Sequence, residues 1–173
     1  MITFDEQTHT YERDGKPVKG SVTKVITDCL PYRDLPAMAG AMQKGTANHA
    51  CYALLARGKA FDCDPISEPY ITGCRKFLQD TRLTVVRVEH HMVSRCGRWG
   101  GTADLIAAIN GQLVMCDYKS HVCPVRTPIQ LAAYADMWNA EQPGAKITQG
   151  LGIEISGDGG YRLEWYKPQS YYP

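Results

Sequence analysis

The chain has 173 residues, a formal net charge of +1, 44% apolar residues and 21% charged ones. That length suits one domain, residues 1–173, with a core of its own, and the balanced charge excludes a polycation that coats nucleic acid with its whole surface. No apolar run approaches the roughly 20 residues that span a bilayer, and the polar, acidic opening MITFDEQTHTYERDG is unlike a secretory leader, so no membrane partner and a cytoplasmic location are expected.

In chain order, HTYER and KPVKG flank Asp14-Gly15, a strong turn dipeptide, and predict an N-terminal β-hairpin. SVTKVITDCL predicts a short helix capped by Ser21. From Pro36 to Arg57, small and apolar residues recur at helical spacing, with Gly45 placed to divide the segment in two. Pro65 to Asp80 predicts a further helix, with Ser67 as cap and Pro69 in its first turn. LTVVRVEHHMVSR is β-branched and alternating, and TADLIAAI and QLVMCDYK form a hairpin across Asn110-Gly111; the three predict an antiparallel meander. TPIQLAAYADMWNAE is an amphipathic helix, and ITQGLGIEI and YRLEWYK are strands joined by SGDGG. This order predicts an α/β domain with a central mixed β-sheet flanked by helices.

Two acids stand out. Asp104 sits inside the apolar run ADLIAAI, and Asp117 and Lys119 end LVMCDYK. A carboxylate buried in a strand without a partner is costly, so something must compensate it. Alternation puts Asp117 and Lys119 on one face, and the hairpin lets Asp104 face Asp117 across the sheet. Two carboxylates that close repel unless a cation lies between them, and hard oxygen ligands suit Mg²⁺ or Mn²⁺. The main-chain carbonyl of Tyr118 is a further candidate ligand, and Lys119 would face an anionic oxygen beside the ion. Such a set suits phosphodiester hydrolysis. A plain ion pair between Asp117 and Lys119 at a strand end is the simpler alternative.

An acid, a strand hairpin and then Asp-x-Lys resembles the PD-(D/E)xK nuclease superfamily. KGTANHA resembles the Gly-x-x-x-His helix of its RecB-like branch, VEHHMVSR offers Glu89 for that branch's first-strand acid, and QLAAY is similar to its Gln-x-x-x-Tyr helix at Gln130 and Tyr134. YERDGKPVKGSVTKVI resembles the lead-in of phage-encoded and mitochondrial exonucleases of the group. The resemblance implies a restriction-endonuclease-like core with metal held by His49, Glu89, Asp104 and Asp117. It implies Lys119 as catalytic lysine, and Gln130 and Tyr134 beside the DNA or behind the site. It departs in that Ala103, not proline, precedes Asp104. The residues leave other roles open. His49 also fits a packed core histidine, Glu89 has Arg87 and His91 two residues away, and Thr127-Pro128-Ile129-Gln130 reads as a capping box. Seven cysteines, an odd number without a CxxC pair, lack the set of the iron–sulfur members, so no such cluster is expected.

The expected activity is a Mg²⁺-dependent DNA exonuclease, phage or prophage encoded, acting in recombination or end processing beside a single-strand annealing protein. A structure-selective endonuclease or junction resolvase and an inactive DNA-binding protein of the same fold are the alternatives. An oligomer is compatible with each. Between residues 72 and 100, Arg75, Lys76, Arg82, Arg87, Arg95 and Arg98 face only Asp80 and Glu89, and predict a track for phosphates. Arg98-Trp99, in CGRWGG, would place an aromatic ring beside a cation for stacking on an unpaired base.

Overall fold

A computed structural model describes residues 1–6, 8–30 and 38–167, with the backbone alone for 38–44 and 46. The helix start expected at Pro36 lies outside the described residues.

The first element is a small antiparallel sheet of β1 (Ile2–Asp5), β2 (Thr10–Arg13) and β3 (Lys16–Pro17). Its second turn uses Asp14 and Gly15 at φ 53° and 74°, the paired positive values that match strand twist. Arg13 ties this sheet to the rest by donating to the carbonyl oxygens of Val93 and Ser94, at 2.6 and 3.0 Å. Helix α1 (Val22–Cys29) starts where expected, because the Ser21 hydroxyl accepts the Lys24 amide at 3.1 Å.

Helix α2 (Met38–Ala56) runs unbroken through Gly45, contrary to the expected division. A glycine costs a helix only about 1 kcal/mol against alanine, and the surrounding Ala, Leu and Met residues sustain the turn. Helix α3 (Glu68–Thr81) begins after Ser67 and carries Pro69 in its first turn, but Ser67 makes no side-chain cap bond.

The main sheet has the order β4 (Thr84–Val93), β5 (Gly100–Ile109), β6 (Gln112–Lys119), β7 (Gln149–Ile155), β8 (Tyr161–Tyr166). Strands β4, β5 and β6 form the expected meander, β7 runs parallel to β6, and β8 returns antiparallel. The parallel pair needs a crossover, supplied by α4 (Arg126–Glu141). The β5–β6 turn has Asn110 at φ 51° and Gly111 at 77°.

The protein is thus α/β, with a five-stranded mixed sheet between helical layers. One face packs Tyr52 of α2 and Ile71, Cys74 and Phe77 of α3 onto Leu105, Ala107, Val114, Cys116 and Tyr118. The other packs Val22 and Ile26 of α1 and Leu131, Tyr134, Ala135, Met137 and Trp138 of α4 onto Met92, Ala103, Ile106 and Met115. Strand β5 starts two residues earlier than expected, because its first residues are seated under rings. A Cβ on Gly100 would come 2.5 Å from Tyr11 Cγ, and one on Gly101 would come 2.4 Å from Tyr134 Cε1. No described helix is long and apolar enough to cross a membrane.

Candidate active site

Strand pairing lines up three acids. Val88 pairs with Leu105 and His90 with Ala103, which leaves Glu89 and Asp104 opposed between them. The β5–β6 ladder ends at Leu105 and Cys116, one step before Asp104 and Asp117. Glu89, Asp104 and Asp117 therefore occupy one row across β4, β5 and β6. Like charges directly opposed destabilise a sheet.

The backbone is unusual along this row. Ala103 packs into the α1/α4 side of the core and Leu105 into the α2/α3 side, so the simple alternation of faces breaks at Asp104. Opposite it, Glu89 adopts φ 52°, a left-handed conformation that costs an ordinary residue about 1–3 kcal/mol. Beyond Leu105, β5 leaves the edge of β6. The Tyr118 amide, left without a strand partner on that side, donates instead to Asp104 Oδ2 at 2.8 Å. Since N–H and C=O of one strand residue share a side, the Tyr118 carbonyl lies on the same edge as Asp104.

Two side chains complete the row. From α2, His49 brings Nδ1 to 3.4 Å from Asp104 Oδ1, with its ring beside the contacting rings of Tyr52 and Tyr118. Lys119 sets Nζ 2.6 Å from Asp117 Oδ2, and Asp117 is only 1% exposed. On the far side, Gln130 donates to the Tyr134 hydroxyl at 2.9 Å. Tyr134 is buried against Gly101, so it supports the strands and presents no open face to solvent. The capping box is also absent: α4 starts at Arg126, and the buried Thr127 hydroxyl accepts the Cys123 amide at 3.1 Å, which frees Gln130 for Tyr134.

The charges respond to this crowding. Burial, then repulsion by Asp104, pushes the Glu89 carboxyl up to about 7, against the opposing pull of His49 and Arg57. Burial also raises Asp117, helped by Asp104 and resisted by Lys119. For Asp104 burial again opposes the charge, but His49, Lys119 and the Tyr118 amide outweigh it and hold the carboxyl below its ordinary value. His49 is the converse: burial works against its charged form, yet Asp104 raises its proton affinity overall.

A pH signature follows for Glu89. Its proton is held more tightly in the folded chain than in the unfolded one, so the stability it contributes is present below pH 4.5 and is lost as pH rises to about 7. In EDTA, the wild-type urea midpoint should fall relative to that of Glu89→Gln across this window and then level off, and Mg²⁺ should remove the fall. Parallel pH profiles for the two proteins would contradict this.

Among the described residues, no three His, Cys, Asp or Glu side chains converge closely enough to hold an ion as they stand. The expected four-donor shell is instead one pair, His49 with Asp104, one covered acid, Asp117 under Lys119, and Glu89. Repulsion among three acids explains the spread. The donor set still fits a hard divalent cation in kind, with three carboxylates in a row and an imidazole at the middle one. Neighbouring ligands about 2.1 Å from an octahedral ion stand about 3.0 Å apart, close to the 3.4 Å between His49 and Asp104.

The basic residues do not form one track. Arg75 and Lys76 lie on α3, where the Lys76 ammonium stands 5.8 Å from the centre of the Tyr161 ring. Arg82 caps the end of α3, whereas Arg95 and Arg98 follow the opposite end of β4, about 30 Å away along a ten-residue strand. Trp99 is half-buried and packs partly against the α1/α4 core. Two residues at the site were not anticipated. Arg57 donates to the Val88 carbonyl at 3.2 Å beside Glu89, and its spacing of eight from His49 on a helical segment was an available signal. Glu154 pairs in register with Lys119 and accepts the Val122 amide at 2.7 Å; only the β6–β7 pairing reveals it.

Neither a scan of protein-family models nor a search of curated proteins finds a match to this chain.

Proposed function

We propose that this protein is a metal-dependent deoxyribonuclease of the PD-(D/E)xK kind, acting at DNA ends in recombination or end processing within the cytoplasm. The supporting observation is the row Glu89–Asp104–Asp117, with His49 on its middle acid and Lys119 on its last. A divalent cation held by Glu89, Asp104, Asp117 and His49 would lower the pKa of an attacking water and draw charge from the phosphoryl oxygens. The chain's own residues do the rest. The Tyr118 amide and His49 hold Asp104 from two sides, which fixes the middle carboxylate before substrate arrives. Lys119 carries its ammonium beside Asp117, where it can meet negative charge as it develops on the phosphate. Tyr134 and Gln130 brace the strands from behind.

Digestion of linear and covalently closed circular duplex, in Mg²⁺ and in EDTA, tests this reading. The expected result is metal-dependent loss of the linear form, with 5′-phosphate ends and survival of the circle. Rapid cutting of the circle would replace the exonuclease with an endonuclease or resolvase. No cutting of either form, together with no calorimetric heat from Mn²⁺, would leave a nuclease-like DNA-binding protein and overturn the enzyme.

A further inference from the structure

A groove of about 610 Å³ lies between α1 and the loop joining β4 to β5. Lys19, Lys24 and Arg98 line it, Gly20 and Trp99 contribute wall, and its acid, Asp28, is paired with Lys24 at 3.0 Å. Lys19 and Arg98 make no ion pair among the described residues.

The groove is tied to the strand that carries the middle acid. Ser21 bridges Gly100 in parallel, and the Gly100 amide donates to the Gly20 carbonyl at 3.0 Å. Asp104 lies four residues further along β5, which at about 3.3 Å per residue is about 13 Å. A nucleic-acid strand carries a charge about every 3.4 Å along its axis, so one short stretch of backbone is long enough to reach both places. Gly97 turns the loop with φ +67°, and Trp99 packs partly against the α1/α4 core.

We propose that this groove holds the phosphate backbone of the nucleic-acid substrate about 13 Å from the acid row. The proposal rests on the nuclease reading for the identity of its ligand. Charge complementarity and the distance along β5 support a polyanion that reaches both places. A small anion would occupy one of them alone.

The test is the salt dependence of binding to a 20-base-pair duplex, with Ca²⁺ in place of Mg²⁺. For Lys19→Ser/Lys24→Ser/Arg98→Ser, the slope of log K against log salt should shrink by about 2.7, or about 2 on a single strand. Lys19→Ser by itself should remove about 0.9, and Lys19→Arg should restore the wild-type slope. Near-UV circular dichroism checks that each variant is folded. An unchanged slope in folded variants overturns the groove. Wild-type hydrolysis of bis(p-nitrophenyl) phosphate in Mn²⁺, a diester too short to span 13 Å, reports the acid row separately. Reduced slopes without any hydrolysis would keep the groove and remove the nuclease reading; hydrolysis with unchanged slopes would do the reverse.

Discussion

Lys119→Ala should bind duplex as the wild type does and hydrolyse linear DNA about 10²–10³-fold more slowly, the usual cost of removing one donor that stabilises transition-state charge. The geometry makes the experiment informative in a second way. Lys119 stands 2.6 Å from a carboxylate that is 1% exposed, so truncation leaves a buried acid without its counter-charge. In EDTA the variant should therefore lose about 1–3 kcal/mol of stability, and saturating Mg²⁺ should return most of it, because the ion supplies the missing charge. Single-turnover cleavage and urea titrations with and without Mg²⁺ measure the two effects. Wild-type turnover in the variant would remove Lys119 from the chemistry and leave a structural ion pair. A stability loss that Mg²⁺ does not repair would mean that Asp117 does not hold the ion.

Asp104→Asn should have the larger effect. The amide keeps an acceptor for the Tyr118 N–H but loses the charge that holds His49 and repels Glu89 and Asp117. Turnover should fall by several kcal/mol of barrier, about 10³-fold, and Mn²⁺ binding should vanish from calorimetry. Above pH 7 in EDTA, the variant should be less stable than the wild type, because the fold holds the Asp104 carboxyl below its ordinary value and so favours the charge that the amide lacks. A destabilised variant that still binds Mn²⁺ would make Asp104 an anchor for His49 and nothing more.

These expectations were only partly readable from the chain. The β5–β6 hairpin was, down to its register. Asn110 and Gly111 both take positive φ, so the turn holds two residues, and Ile109 must pair with Gln112. Counting outward from that pair sets Asp104 against Asp117 with no further information. The row's third member could not be counted in the same way. Glu89 reaches Asp104 only after a register shift between Val85 and Arg87, and the β4–β5 connection has no two-residue turn to set its pairing. Likewise Arg75 to Arg98 are neighbours in the chain, but a ten-residue extended strand carries its two ends far apart.

The sequence by itself determined the local elements, the two Asx-Gly turns, the mixed α/β layering and the facing pair of acids, since each follows from interactions within a few residues. Only the tertiary structure decided that Tyr134 is buried beneath Gly101, that His49 meets Asp104, that Glu154 lies beside Lys119, and that the acids stand apart under Lys119 and the Tyr118 amide. Those facts depend on how α2 and α4 dock on opposite faces of the sheet and on which strand pairs in parallel. Such long-range packing is set by the shape and charge of whole surfaces, and short stretches of sequence do not specify it.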